Sequence, residues 1–511
     1  MKRTIKKVAV LGSGVMGSRI ACHFAGIGLQ VLLLDIQPKP EEGKKFDPNK
    51  IVNDALAAAL KSNPSPVYTK DTAKKIKTGN FTDNMKDIAS ADWVIEVVVE
   101  RLDIKKSVFD EVEKYRRPGT LITSNTSGIP IQLMAEGRSE DFKKHFCGTH
   151  FFNPPRYLRL LEIIPTPFTD TAVVDFLMHY GDLYLGKTTV LTKDTPAFIA
   201  NRIGVFGMMA IMKIMEKLQL SIDEIDALTG PLAGRPKSAT FRTADVVGID
   251  TLIKVAKGVY DNCPNDEAKD IFNIPAWLNK MVENNWLGDK TGQGFFKKVK
   301  TPDGKSDIQV LNLKTMEYTA RQKPKFATLE AAKPIEDLPA RLKILINGTD
   351  KAGEFYRQFH YSLFSYISHR IPEISDEVYR LDDAMMAGFG WEIGAFESWD
   401  ASGVAKTTEA MKAAGFTVAK WVDDMLAAGH NTFYKVENGK RLYYDIAGKT
   451  YKNLPGGDTF LVMKYFTNQT IWKNSSSRVY HLGDDVLGLE WNTKMNSIGG
   501  EVLESIQKGI S

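Results

Sequence analysis

The chain opens on an apolar, β-rich run, IKKVAVL at 5–11, which passes directly into GSGVMG and then into a helix-forming stretch, SRIACHFAGIG. A second apolar run, VLLLD, ends at Asp35. Strand, turn, helix and strand in that order predict a β-turn-α-β unit. The proline-rich PKPEEGKKFDP at 38–48 predicts a surface loop. Helical stretches follow, then DWVIEVVVE at 92–100 and a short strand at 121–124, an alternation that predicts a parallel sheet covered by helices. From about Asp194 the pattern changes to the Met- and Ala-rich helical periodicity of IGVFGMMAIMKIMEKL and continues to GDKTGQGFF at 288–296. Residues 301–340 carry Pro, Lys and Asp with little periodicity, and a linker is predicted there.

An internal echo then extends the plan. IDALTGPLAGRPKSATFRTADVVGID at 225–250 is matched by LDDAMMAGFGWEIGAFESWDASGVAK at 381–406, which predicts a duplicated helical domain. The helices leading into the copies match as FIANRI at 198–203 and SYISHRI at 365–371, a pairing that sets Asn201 opposite His369. The domains predicted are 1–193 (sheet), 194–300 (helical), 301–340 (linker), 341–475 (second, non-catalytic helical copy) and 476–511 (a further small unit).

Composition narrows the partners. With 511 residues the chain needs about three cores. Hydrophobic residues at 43% and charged residues at 25% are those of a folded globular protein. The 67 basic and 62 acidic residues leave a net charge of +5 without a long basic run, so no nucleic-acid partner is expected, whereas an anionic substrate is compatible. Cys22, Cys147 and Cys263 are far apart and lack C-x-x-C spacing; neither a disulfide framework nor a metal site is expected, and a reducing, cytoplasmic location fits. With the first strand beginning by about Ile5, no targeting peptide is expected, and no apolar run reaches the ~18 residues of a membrane span.

The chemistry begins at the first turn. Gly12, Gly14 and Gly17 have G-x-G-x-x-G spacing between strand and helix. The first makes the tight turn, the second lets the backbone approach a pyrophosphate, and the third lets helix pack on strand. Asp35, 23 positions after Gly12, would accept hydrogen bonds from an adenosine ribose. An acid there repels a 2′-phosphate and the following Ile36 and Gln37 provide no arginine, so NAD is the expected dinucleotide.

A second set of polar residues lies downstream: SNTSG at 124–128, THFFNPP at 149–155, LLEII around Glu162, and DTPAFIANR ending at Arg202. Singly, His150 reads as a histidine beside an aromatic core and Glu162 as a strand-edge carboxylate. Together they match the needs of alcohol oxidation: a base near neutral pKa, a carboxylate to orient it, and donors near the developing carbonyl. His150, Glu162, Asn201 and Ser127 supply those groups.

GSGVMG, Asp35, IEVVVE with Lys105 five residues on, SNTS, HFFNP, Glu162, DTPAFIANR and DKTGQGFF occur in the order seen in 3-hydroxyacyl-CoA dehydrogenases, which the chain resembles over about 5–300. The resemblance implies a Rossmann-like α/β NAD-binding domain followed by an all-α C-terminal domain, and the NAD-dependent oxidation of (S)-3-hydroxyacyl-CoA thioesters in fatty-acid β-oxidation. It implies that His150 is the general base, Glu162 its orienting partner, Asn201 the amide holding histidine and substrate in register, and Ser127 a contact to the 3-hydroxyl. Val15 and Met16 of the glycine turn, with Glu100, Lys105, Asn153 and Lys290, would touch the dinucleotide. Lys105 and Lys290, taken singly, are also what solvated surface lysines look like.

The chain departs from the family at GRPKSATF, 234–241, where a G-x-P-M-G-P-F-like turn is usual, which leaves acyl length open. The proline-rich stretch at 38–48, near the adenine end, is another departure. The second copy has no nucleotide domain before it and is not expected to catalyse; by the same resemblance it would replace the partner subunit of single-copy dimers, giving a monomer. Residues 478–511 resemble the opening strand, K-M-N turn and helix of a crotonase-type domain, as in a bifunctional protein cut short within its hydratase part, and no hydratase activity is expected. The rival readings are a dehydrogenase of another hydroxyacid, usually dependent on a catalytic lysine, and a non-catalytic nucleotide-binding subunit.

Overall fold

The fold is that of a computed structural model, which describes residues 3–510 except 41, 44, 302, 303 and 458. Glu41 and Lys44 of the proline-rich stretch, and 302 and 303 of the expected linker, lie outside the described residues; the remainder of 38–48 contains neither helix nor strand. Eight strands form the main sheet: β1 (Lys7–Leu11), β2 (Gln30–Asp35), β3 (Ile76–Asn80), β4 (Trp93–Glu96), β5 (Leu121–Ser124), β6 (Phe146–Phe151), β7 (Leu160–Pro165) and β8 (Thr188–Leu191). Their order is β3-β2-β1-β4-β5-β6-β7-β8. Alternation along β1 sends Val8 and Val10 into one core, with Phe24 and Trp93, and Ala9 and Leu11 into the other, with Val94 and Phe109. Helices therefore cover both faces.

The sheet is not parallel throughout. The six strands β1 to β6 run parallel, but β7 runs against β6, and β8 follows β7. Only 152–159 connect β6 to β7, too few residues for the crossover a parallel pair needs. The strand expected at 92–100 also stops early, at Glu96, because its carboxylate accepts the amide of Val98 (2.6 Å) and turns the chain out of the sheet.

Beyond the sheet, two 19-residue helices, Ala200–Leu218 and Lys351–His369, pack on each other, the Phe206 ring stacked on Tyr366 at 3.7 Å. One continuous hydrophobic core runs from Leu160 of β7 through both helical copies. The duplication is visible in matching caps. Asp226 accepts the amides of Thr240, Phe241 and Arg242, and Asp382 those of Phe396 and Glu397. Asp245 accepts Phe295 and Phe296, and Asp400 accepts Phe433 and Tyr434.

Neither copy is all-α. Each ends in a three-stranded antiparallel sheet: β9 (Phe296–Lys300), β10 (Ser306–Asn312) and β11 (Glu317–Ala320) in the first; β12 (Tyr434–Glu437), β13 (Lys440–Asp445) and β14 (Thr450–Asn453) in the second. Strands β10 and β11 occupy part of the expected linker, where Val310 and Leu311 bury against the helical core; short polar strands leave only a weak alternation. The pairing of FIANRI with SYISHRI fails as well. Asn201 lies in the first turn of its helix and His369 ends the other, so the two are not equivalent. A third small sheet, β15 (Thr470–Lys473), β16 (Ser477–Gly483) and β17 (Val486–Trp491), precedes a turn at Lys494–Asn496 and a helix at Gly500–Ile510, so this unit begins ahead of 476.

A buried ionic cluster joins the copies. Arg202 of the first long helix bonds Asp266 (2.7 Å) and the Tyr366 hydroxyl (2.6 Å) of the second; Arg370 also reaches Asp266 (3.0 Å). Arg202, Arg370 and the Asp266 side chain are all at most 3% exposed. Removing one partner of such a set strands the others in a low-dielectric interior. Asp266→Ala is expected to cost about 3–5 kcal/mol, read as a lower denaturant midpoint; a midpoint equal to that of the surface variant Asp307→Ala would contradict this role.

Candidate active site

The glycine turn lies between β1 and the Val15–Gly26 helix, at the edge where the parallel strands end. Gly12 has φ +104, and a Cβ there would sit 2.6 Å from the Val97 carbonyl oxygen; a Cβ on Gly17 would sit 1.8 Å from that of Gly12. Both glycines are required by the protein's own packing. Gly14 is not: its φ is −54 and a Cβ would meet nothing within 4 Å. The open space above Gly14, beside a helix start that no side chain caps, fits the close approach of a pyrophosphate. Val15 is exposed there and Met16 half-buried. Asp35 closes the cradle, its Oδ2 accepting the backbone amide (2.6 Å) and hydroxyl (2.5 Å) of Ser13.

Next along the edge, Glu96 is fully buried. It accepts Lys105 Nζ through both oxygens (2.8 and 3.0 Å) and the Ser124 hydroxyl (2.5 Å). Burial tends to raise its pKa, and the Lys105 ammonium opposes that. Lys105, 1% exposed, is thus no solvated surface lysine. It also lies 3.4 Å from Glu100, whose other oxygen accepts Thr126 (2.6 Å), Ser127 N (3.0 Å) and Gly128 N (3.1 Å). Burial raises the pKa of Glu100, but Lys105 and these donors outweigh it and hold the group below its ordinary value. The Glu96–Lys105–Glu100 chain therefore fixes the 124–128 loop with the Ser127 side chain exposed.

The reversal of β7 brings the other candidates together. His150 and Glu162 are direct partners in the β6–β7 ladder, and His150 Nδ1 lies 2.7 Å from Glu162 Oε2. Oε1 accepts the amides of Ile199 (3.1 Å) and Ala200 (2.9 Å), which open the first long helix, and Asn201 follows, half-buried. The preceding turn holds Ala197 and Phe198 at φ 64 and 51. Left-handed non-glycine residues cost roughly 1–3 kcal/mol each. Two amides on a buried carboxylate contribute about 1.5–3 kcal/mol apiece, enough to hold that turn. Phe152 and Phe198 flank the imidazole at 4.6 and 5.6 Å. Nε2 has no hydrogen-bond partner among the described residues.

Two candidates stand apart. Asn153 is exposed and, among the described residues, is reached only by Arg19, at 3.5 Å. Lys290 pairs with Asp250 in the helical part, and no hydrogen bond or ion pair links it to the other candidates among the described residues. The sequence reading passed over Glu96, although an acid ending a strand at the ligand edge was a signal. It also passed over Asn125, whose side chain accepts the Phe151 amide (2.9 Å) beside His150.

A dinucleotide cradle beside a histidine–carboxylate pair, with a helical domain behind it, is the architecture of a two-domain nucleotide-dependent oxidoreductase. Residues 7–195 match the model of the 3-hydroxyacyl-CoA dehydrogenase NAD-binding domain, and 198–298 that family's C-terminal domain. A probable 3-hydroxyacyl-CoA dehydrogenase of Deinococcus radiodurans is 46% identical over 296 residues, 58% of this chain and 84% of the relative. Another so named, from Bacillus subtilis, is 44% identical over all of this chain, which spans 65% of that relative's length. The crystal structure of 3-hydroxybutyryl-CoA dehydrogenase from Escherichia coli K12 shares the fold, with TM-score 0.59 at 21% identity, over 84% of this chain and 100% of that one. The chain belongs to the 3-hydroxyacyl-CoA dehydrogenase family.

The two glycines predict opposite phenotypes. Gly14→Val is expected to leave the thermal midpoint unchanged and to weaken NADH binding roughly tenfold or more, since the added group occupies only ligand space. Gly17→Val is expected to lower the midpoint itself. Equal NADH affinity in wild type and Gly14→Val, by fluorescence titration, would remove the pyrophosphate from this turn.

Proposed function

We propose that this chain oxidises (S)-3-hydroxyacyl-CoA thioesters to 3-oxoacyl-CoA in fatty-acid β-oxidation. The observation that carries the reading is the His150–Glu162 pair, anchored to a helix start at the edge that also bears the glycine turn. The cradle of Gly12, Gly14, Val15, Met16 and Gly17 with Asp35 holds the dinucleotide, and Glu100, Lys105 and Asn153 shape its nicotinamide end; Lys290 is retained for it on the resemblance alone. NAD⁺, when bound, supplies the acceptor for the hydride lost from carbon-3.

The protein's own groups do the rest. Glu162 accepts from His150 Nδ1, which leaves the Nε2 lone pair to take the proton of the 3-hydroxyl. The same carboxylate stabilises the imidazolium that forms, an electrostatic role. Asn201 and Ser127 position the substrate oxygen. Lys105 is bound by two carboxylates and is not available as a base, which disfavours a lysine-dependent hydroxyacid dehydrogenase.

The second copy braces the site rather than adding another. Its Ile374 carbonyl accepts the Lys193 amide (3.1 Å) just after β8, and Arg380 bonds the Leu191 carbonyl (3.2 Å). We infer that it stands in for a partner subunit and that the chain acts as a monomer in a reducing, cytoplasmic setting, consistent with three buried free cysteines. No described helix is long and apolar enough to cross a membrane. The unit at the far end, with its hairpin, K-M-N turn and helix, is crotonase-like on the resemblance of its sequence.

NADH oxidation with acetoacetyl-CoA tests the reaction. Wild type is expected to turn over, and His150→Gln to lose about 10²–10⁴-fold while still binding NADH. Near-normal turnover in the variant, or none in wild type at any acyl length, would overturn the proposal. Asp35→Ala is expected to raise the Michaelis constant for NAD⁺ with little change in turnover; an unchanged constant would remove Asp35 from the ribose.

A further inference from the structure

Three charged side chains occupy the interval between the glycine turn and His150. The sheet order β1-β4-β5-β6 sets the ends of β4 and β5 between the end of β1, which carries the turn, and β6, which carries His150. The interval is closed at both sides: a Cβ on Gly12 would meet the Val97 carbonyl just after β4, and Asn125, just after β5, accepts the Phe151 amide (2.9 Å). A dinucleotide with its pyrophosphate on the turn and its hydride-accepting carbon near a substrate on His150 therefore has its nicotinamide over these strand ends. Glu96 ends β4, Glu100 follows in the turn, and Lys105 reaches them from the Leu102–Tyr115 helix.

The three charges do not cancel. Lys105 Nζ donates to both Glu96 oxygens, at 2.8 and 3.0 Å, and stands farther from Glu100, at 3.4 Å. Glu96 also accepts the Val98 amide (2.6 Å) and the Ser124 hydroxyl (2.5 Å). The Ser124 oxygen accepts the Thr126 amide (3.2 Å), which turns its own proton toward Glu96. Glu96 is thus surrounded by donors, the environment of an ionised carboxylate. Two carboxylates against one ammonium leave one negative charge. Because Glu96 engages the ammonium, that charge stays on Glu100, whose side chain is 22% exposed against 0% for Glu96 and 1% for Lys105. Neighbouring charges pair among themselves, Arg101 with Asp103 and Lys106 with Glu136. An oxidised nicotinamide is a cation and a reduced one is neutral, so a fixed negative charge beside the ring discriminates between them.

We propose that Glu96 is a positioning residue of the cofactor site: by engaging the Lys105 ammonium it keeps one negative charge on Glu100 beside the nicotinamide, and so biases the site toward the oxidised cofactor. The inference rests on the proposed dehydrogenase reading and concerns the cofactor end of that site. The test is the ratio of the dissociation constants of NAD⁺ and NADH, by calorimetric titration, in wild type, Glu96→Gln and Ser124→Ala. E96Q keeps the shape of the side chain and removes its charge, which leaves Lys105 to neutralise Glu100. Its ratio Kd(NAD⁺)/Kd(NADH) is expected to rise roughly tenfold over wild type. S124A removes a hydrogen bond from the same carboxylate without altering any charge, and is expected to keep the wild-type ratio even where both affinities fall. An unchanged or lowered ratio in E96Q, or a rise as large in S124A, would overturn the proposal. If E96Q does not fold, E100Q takes its place: a raised ratio supports the charge, and an unchanged one overturns it. Failure of wild type to bind either dinucleotide would overturn the parent reading of the cradle, and this inference with it.

Discussion

The structure turns on one carboxylate. Glu162, fully buried on a strand reversed with respect to its neighbour, binds His150 across the ladder and the amides of Ile199 and Ala200 below. A carboxylate in that position without partners would be strongly destabilising. With them it ties together the sheet that carries the glycine turn, His150, and the helix that carries Asn201. The strained Ala197–Phe198 turn exists because those amides must be aimed at one oxygen.

A second buried centre does for the helical copies what Glu162 does for the site. Asp266 is shared by Arg202, one residue beyond Asn201, and by Tyr366 and Arg370 of the second copy. The first long helix is thus gripped near its start from both sides. Its placement against the sheet is braced by the duplicated domain. Duplication places a second helical wall within the same chain, and the core is continuous across it.

Much of this was legible in the residue pattern. G-x-G-x-x-G, Asp35 and the ordered polar motifs located the cradle and the pair, because each demands particular residue types at fixed offsets. What escaped depends on relations that spacing does not encode. The reversal of β7 follows from a short connection between strands that read alike from either direction. The linker became β10 and β11 because their short alternation is faint beside loop-like composition. FIANRI and SYISHRI match in letters but sit at opposite ends of their helices. The burial of Lys105 could not be read from spacing, because it depends on Glu96, which in the sequence is only the interior of a strand.

The central claim, that Glu162 dictates the tautomer of His150, is tested most directly by the nitrogen chemical shifts of isotope-labelled histidine, with His150 assigned by its loss in His150→Gln. The account predicts that the tautomer of the imidazole carries its proton on Nδ1, toward Glu162, with Nε2 bare. A resonance showing the proton on Nε2 would contradict it, because that tautomer could neither donate to Glu162 nor accept a proton from the substrate.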